Sequence, residues 1–259
     1  MSDDQKQHMI KSFKQGVRFD ERGLEDYRKL EISCKPSKTA EGMAVVKLGN
    51  TEVIAGIKMM IGTPFPDRPG EGVIMVNAEF LPLASPDFES GPPGIDSIEL
   101  SRVVDRGIRE SHAIDLKKLC IKKGEKVWIV SIDICTLNDD GNLLDASALA
   151  ALLALKKTRL PGYDGEEVNY KKISDEKLPL DQEPIPVTVY KVGDVFFVDP
   201  TKEEQAKVEA RLTITTLSDG NICALQKGGD SPFTLNEISN MVDLAVKKAA
   251  EIREQANKA

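Results

Sequence analysis

The sequence predicts an α+β fold with mixed sheets and packed helices, and three observations lead to this prediction. Short segments that alternate apolar and polar residues, which is typical of half-buried strands, recur along the 259 residues. A few segments with helical spacing of apolar residues lie between them. No repeat of fixed period is present, so a solenoid is not indicated. Strand runs interleaved with a few helices are typical of the α+β class.

The first two thirds of the chain is predicted to contain three helices and five strands. Alternating apolar residues predict strands at 29–34, 43–48, 52–57, 73–81 and 126–136. Helical spacing predicts helices at 3–15, 97–111 and 146–155. The third helix is almost wholly apolar and is therefore expected to be buried, with Asp145 as its N-cap. Gly49 and Asn50 indicate a tight hairpin, and Pro- and Gly-rich loops are expected at 64–72 and 82–93.

Residues 161–184 are polar and rich in turn formers, and they are the best candidate for a domain boundary. We therefore expect an N-terminal domain at 1–184, with the first helix as an arm, and a C-terminal domain at 185–259. Strands are predicted after the boundary at 185–192, 195–198, 210–216 and 222–226, followed by a helix at 236–252.

Composition limits the classes of partner. The 35 Lys and Arg against 42 Asp and Glu give a net charge of -7, which argues against wrapping of nucleic acid by the whole surface. Any contact with a polyanion must therefore be local. The four cysteines lie far apart, so neither a zinc site nor a disulfide framework is indicated. The first residues carry no apolar leader and no apolar run approaches the ~20 residues of a membrane span, so we expect a cytoplasmic protein without membrane contact.

The run Gly16-Val17-Arg18-Phe19-Asp20-Glu21-Arg22 resembles the opening motif of the RNase PH family of phosphorolytic RNA exonucleases. Over its full length the chain is similar to the non-catalytic RNase PH-like subunits of archaeal exosome rings. The resemblance implies the RNase PH-like fold, which is a ribosomal protein S5 domain 2-like fold. It also implies a catalytic RNase PH-like sister subunit, a hexameric ring of three such pairs, RNA-binding cap subunits and single-stranded RNA as partners. In such a ring the chain would shape the active site of the sister and guide RNA.

The chemistry of active family members is not expected here. Their phosphate cradle has Gly-Gly followed by Ser or Thr and Arg, whereas this chain has Asp140-Gly141-Asn142 followed by Leu143 and Leu144. Two leucines cannot compensate the desolvation of a phosphate. The two family acidic positions correspond to Gln205 and Arg211, and neither side chain can act as a carboxylate. We therefore expect no catalytic residues, no metal site and no cofactor.

Arginines are the candidate RNA-binding residues. Arg102, Arg106 and Arg109 follow one another at spacings of four and three, so they share one helix face, opposite the apolar stripe. Guanidinium groups in a row suit successive phosphates, and Arg106 with Arg109 is the stronger expected pair. The alternative is a solvated face with local pairing to neighbouring acids. The resemblance implies that this helix lines the RNA path, with Arg68 of the first loop as a weaker candidate.

Two other functions stay open at this point. The chain itself is a phosphorolytic exonuclease if its cradle is rearranged rather than lost. It is a stand-alone module that binds RNA or protein if it does not join a ring. Activity of the isolated chain distinguishes the first alternative, and sizing with and without the sister subunit distinguishes the second.

Overall fold

The computed structural model describes residues 3–34 and 36–258, and this part of the chain contains five α-helices and twelve strands. The helices are α1 (Asp3–Lys14), α2 (Ile95–Glu110), α3 (Leu143–Lys157), α4 (Lys202–Gln205) and α5 (Leu235–Asn257). The strands of the first half are β1 (Leu30–Ser33), β2 (Gly42–Leu48), β3 (Thr51–Gly62), β4 (Val73–Phe80), β5 (Cys120–Lys122) and β6 (Lys126–Asn138). Those of the second half are β7 (Arg159–Tyr163), β8 (Val168–Lys177), β9 (Ile185–Val192), β10 (Val195–Val198), β11 (Ala210–Thr216) and β12 (Ile222–Gly229).

Two sheets form the framework, and the predicted α+β class is confirmed. The first sheet has the strand order β1-β2-β3-β6-β4, with β5 also paired to β6. Its neighbouring strands are antiparallel except β4, which runs parallel to β6 at the edge. The second sheet is antiparallel in the order β10-β9-β11-β12. The predicted hairpin joins β2 to β3 through Gly49, whose φ of 59° suits glycine.

The helices α2 and α3 connect the two sheets. The third helix packs against β2 and β3 of the first sheet and β9 of the second. It is buried on nearly every face, as its apolar composition predicts. The second helix packs against β4 and α3 through a buried stripe of Leu100, Val103, Val104 and Ile108. In the described part of the chain, no helix is both long and apolar enough to cross a membrane.

The N-terminal helix, predicted as an arm, packs on the second sheet. Met9 and Phe13 are buried against Tyr190 and Phe197 in a small cluster of their own. The rings of Phe13 and Phe197 meet edge to face with centroids 5.0 Å apart. The arm therefore covers β10, which is the edge of this sheet that β12 does not occupy.

The start of α3 differs from the sequence prediction. The helix begins at Leu143 with Asn142 as its N-cap, and Asn142 has a left-handed φ of 54°. Asp145 lies inside the first turn, so its assignment as the N-cap is wrong. The reason is that Asp145 is buried, and its carboxylate accepts hydrogen bonds from the side chains of Tyr27 and Asn142 and from the backbone N–H of Thr188. Within 161–184, residues expected to be only turns also form the hairpin of β7 and β8.

The buried carboxylate of Asp199 lies at a junction where the N-terminal segment, the residues after β10 and the start of α3 meet. Arg28 donates to it from its backbone N–H at 2.7 Å and from Nε and Nη2 at 2.9 and 2.7 Å. Arg22 Nη1 donates at 2.9 Å and Asn142 Nδ2 at 3.0 Å. Burial opposes the charge of Arg28, but hydrogen bonding to Asp199 outweighs it and raises the pKa of the guanidinium. A buried carboxylate is stable only with such compensation.

The Gly16–Arg22 motif is part of the same junction. Arg18 is 1% exposed and forms a two-point contact with the carboxylate of Glu204. Its guanidinium also donates to the carbonyls of Val198 at 2.9 Å and Asp199 at 2.8 Å. The motif therefore has a structural role, because it fixes the segment after α1 against the end of β10 and the start of α4.

We expect Asp199→Asn to destabilise the chain by about 3 kcal/mol, because it leaves the half-buried guanidinium groups of Arg22 and Arg28 without the buried carboxylate that they share. The free energy of unfolding from denaturant titration measures this loss. The matched control is Asp194→Asn, since Asp194 pairs with Lys14 at 3.3 Å on the open surface. That pair is expected to contribute little. Equal losses in the two variants would contradict the role of Asp199.

Candidate functional site

A cavity of about 400 Å³ lies where the family active site is expected. The cavity is lined by the start of α3, the loop after β4, α2, α4 and β11. Leu143, Leu144, Gln205 and Arg211, which are far apart in sequence, all line it. The positions that the resemblance aligned with catalytic groups are therefore brought together, although the side chains differ from those of active members.

Two backbone N–H groups just before α3 already donate hydrogen bonds to side-chain oxygens of this chain. The amide oxygen of Gln205 accepts the N–H of Asn142 at 2.8 Å. The carboxylate of Asp139 accepts the N–H of Gly141 at 3.1 Å. N–H groups at a helix start attract anions when they are free. Here two of the groups that precede the helix are already hydrogen bonded, and the next two side chains are leucines.

Arg211 is held across the cavity by Glu99 of α2. Its Nη2 lies 2.8 Å from the Glu99 carboxylate, and the Arg211 side chain is 17% exposed. The guanidinium stands where a carboxylate would be needed to hold a metal ion or donate a proton, and it can do neither. Sequence reasoning missed the pairing with Glu99, because nothing in the local pattern of α2 links that residue to β11.

Other acids at the rim are also paired. Lys202 lies 2.7 Å from Asp87 and 3.4 Å from Asp139. Lys6 of the arm lies 2.6 Å from Glu209, and this hydrogen bond lowers the pKa of the Glu209 carboxyl. Among the residues that the structure describes, no three Asp, Glu, His or Cys side chains are grouped to hold a metal ion. The cavity presents paired charges and apolar walls.

The predicted arginines fall into two groups. Arg102 and Arg106 are exposed on the outer face of α2, and within the described residues neither forms an ion pair. Arg109 is half-buried and forms a forked contact with Asp105, whose hydrogen bonds raise the pKa of the guanidinium. Arg68 is exposed in its loop, 3.7 Å from Asp67. The local pairing considered as an alternative therefore applies to Arg109.

Arg68 and Arg109 line a second depression, of about 610 Å³, near the end of α2. Glu71, Glu110 and Asp115 line the same depression. The two arginines are therefore brought close together, but among at least as many carboxylates. Of the four predicted arginines, Arg102 and Arg106 are the two that are exposed and form no ion pair among the described residues.

Comparison with known proteins identifies the class of protein. Residues 26–161 match the model of the 3′ exoribonuclease family, domain 1, and residues 182–248 match domain 2 of the same family. The chain belongs to this family, the RNase PH family, as its Gly16–Arg22 motif indicated.

Individual relatives show which members of the family the chain resembles. The chain is 50% identical over 241 residues to exosome complex component Rrp42 of Methanosarcina acetivorans, covering 92% of this chain and 88% of that protein. It is also 50% identical over 251 residues to the protein of the same name from Thermococcus onnurineus, covering 96% and 92%. Among solved structures it is similar to a chain of the Archaeoglobus fulgidus exosome with RNA bound to the active site. That similarity has a TM-score of 0.90 and 47% identity over 98% of each chain.

The buried Asp145 makes the free energy of unfolding depend on pH. Burial raises its pKa to about 7, against hydrogen bonds from Tyr27, Thr188 and Asn142 that lower it. The native chain therefore keeps a proton that the unfolded chain loses near pH 3.8. The contribution of this group to the free energy of unfolding is fully present below that pH and is lost as the pH rises to about 7.

We expect Asp145→Asn to remove this dependence. From pH 5 to pH 8 the wild type should lose free energy of unfolding that the variant does not lose, so the difference between them changes in favour of the variant. Denaturant titrations at several pH values measure it. Asp87→Asn is the control, because Lys202 lowers the pKa of that exposed carboxyl and it does not titrate in this window. Parallel pH profiles for wild type and Asp145→Asn would contradict the prediction.

Proposed function

We propose that this chain is a non-catalytic subunit of an archaeal exosome ring that degrades RNA from the 3′ end by phosphorolysis. In the proposed ring it alternates with a catalytic RNase PH-like sister subunit in three pairs, beneath RNA-binding cap subunits. Its role is to shape the active site of the sister and to contribute arginine contacts to single-stranded RNA. Its similarity to exosome components over almost its whole length supports this assembly.

The observation that carries the non-catalytic assignment is that the polar groups at the expected catalytic positions of the cavity are already paired within the chain. Phosphorolysis needs free donors around the attacking phosphate and a group that gives a proton to the leaving oxygen. The N–H of Asn142 already donates to the amide oxygen of Gln205, and the charge of Arg211 is paired with the carboxylate of Glu99. A phosphate placed against Leu143 and Leu144 would lose its hydration without compensation. These contacts support a subunit that completes a neighbouring active site rather than one with its own.

The proposed RNA contacts are on α2. Arg102 and Arg106 are one helical turn apart, exposed and free of ion pairs within the described residues, so both guanidinium groups are available to successive phosphates. Arg109 is already held by Asp105. The proposal therefore rests on Arg102 and Arg106, with Arg68 as a weaker candidate that reaches RNA only if its loop faces the path.

Two further parts of the proposal concern organisation. We propose RNase PH-like domains at 1–184 and 185–259, which is supported by the separate family matches on either side of residues 162–181. We also propose that the chain works in the cytoplasm, where its RNA substrates and the other subunits are made.

The isolated chain is expected to release no nucleoside diphosphates from single-stranded RNA in the presence of inorganic phosphate. The reason is that the N–H of Asn142 is already hydrogen bonded, and Gln205 and Arg211 stand at the acidic positions of active family members. The assay compares the chain alone, the catalytic sister alone and their mixture, with light scattering to establish the assembly. We expect an active hexamer only in the mixture.

Two outcomes would contradict this proposal. Phosphate-dependent release that rises in proportion to the concentration of the isolated chain would favour the enzyme alternative. A stable monomer that does not associate with the sister subunit would favour the stand-alone binding module.

We expect Arg102→Gln with Arg106→Gln to weaken RNA binding by the assembled ring without affecting assembly. Each lost phosphate contact should reduce the salt dependence of binding to a single strand by about 0.7 in log–log slope, so the pair by about 1.4. RNA affinity measured at several salt concentrations tests this, together with the rate of RNA degradation. The weakening should be similar across RNA sequences, since these contacts read no bases.

The matched control is Lys171→Gln with Lys172→Gln, which removes the same charge from exposed positions of β8. The control should leave affinity and slope near the wild-type values. If both double variants behave alike, the α2 face has only a general electrostatic effect and the RNA contact is refuted.

A further inference from the structure

Arg109 makes a contact that its neighbours on α2 do not make. Its Nε and Nη2 donate to the two oxygens of Asp105 at 3.0 and 2.6 Å, in a fork that only a guanidinium can form. The same Nη2 donates to the backbone carbonyl of Ile74 at 3.2 Å. Arg109 therefore links α2 to strand β4 by a directional bond.

The strand that receives this bond is an edge strand. The structure pairs β4 with β6 alone, so one side of its backbone has no ladder partner. The apolar stripe of α2 packs on this part of the sheet, but apolar packing is not directional and does not by itself fix how far a helix slides or rolls. The hydrogen bond from Arg109, in the last turn of α2, to the Ile74 carbonyl of β4 adds a directional constraint on that position.

The charge of Arg109 is largely neutralised where it stands. Asp105 lies one turn before it, and the ion pair has side-chain exposures of 38% and 29%. A guanidinium already paired with a carboxylate adds little to the attraction of a polyanion. By contrast, Arg102 and Arg106 are exposed on the same helix without such a partner within the described residues.

We propose that Arg109 and Asp105 are positioning residues that clamp α2 to the β4 edge, so that Arg102 and Arg106 are held in place for RNA. This inference rests on the proposed RNA function of those two arginines. It assigns Arg109 a role that differs from the RNA contact expected from the sequence. The clamp needs the forked geometry of arginine, whereas a phosphate contact needs mainly its positive charge.

The test uses the full chain assembled with its catalytic sister and compares Arg109→Lys, Asp105→Asn and Glu110→Gln. Glu110→Gln is the control for Asp105→Asn, because it also removes one carboxylate beside Arg109. Two quantities are measured: amide hydrogen exchange of β4 and the last turns of α2 without RNA, and RNA affinity as a function of salt.

We expect Arg109→Lys and Asp105→Asn to accelerate exchange in β4 and α2 several-fold, with Glu110→Gln unchanged. Arg109→Lys should lower RNA affinity several-fold with an unchanged salt slope, because the phosphate-binding charges remain but are less well placed. Asp105→Asn should bind RNA more weakly than Glu110→Gln.

The clamp is overturned if Arg109→Lys exchanges and binds RNA like the wild type. It is also overturned if Asp105→Asn binds RNA more tightly than Glu110→Gln, since freeing Arg109 would then have created a phosphate contact. Accelerated exchange with no change of RNA affinity in any variant refutes the positioning role. If Arg102→Gln with Arg106→Gln also leaves RNA affinity unchanged, the proposed RNA contact fails as well. If that double variant weakens RNA binding, only the clamp fails.

Discussion

The carboxylate of Asp199 is the contact on which the rest of the junction depends. Arg22 and Arg28 reach it from the N-terminal segment, and Asn142 reaches it from the start of α3. Asn142 is also the N-cap residue whose N–H is held by Gln205. Because every member of a buried polar network must be satisfied at once, the position of the N-terminal segment, the start of α3 and the wall of the cavity are set together.

On the proposed function, this coupling explains how the framework of an active site is retained without its chemistry. The backbone at Gly141 and the start of α3 are held by Arg28 and by the bond from Asn142 to Asp199. Leu143, Leu144 and Arg211 therefore change the chemistry of the cavity while the framework is held elsewhere. The family fold by itself does not establish an activity, and the decision lies with the side chains that the fold brings together.

Local patterns predicted most of the elements, because apolar periodicity reports which face of a segment is buried. The stripe of α2, the buried α3 and the strands of the second sheet follow from that rule. Periodicity carries no information about contacts between segments that are far apart in sequence. Such contacts determine the features that the sequence did not predict. Asp145 was assigned as an N-cap from its position, whereas Tyr27 and Thr188 bind it from other elements. Likewise, the substitutions in the cavity were visible in the sequence, but the pairing of Arg211 with Glu99 was not.

The distribution of paired and unpaired cations reconciles an acidic chain with a role in guiding RNA. In and around the cavity, Arg211 is paired with Glu99, and Lys202 with Asp87 and Asp139. On the outer face of α2, the guanidinium groups of Arg102 and Arg106 lack such partners among the described residues. A phosphate gains most from a cation that is not already neutralised, so the proposed RNA contact lies on α2 and not in the cavity. On the proposed function, the pairing of charges in the cavity therefore removes a competing anion site as well as a catalytic one, and the 3′ end is left to the active site of the sister subunit.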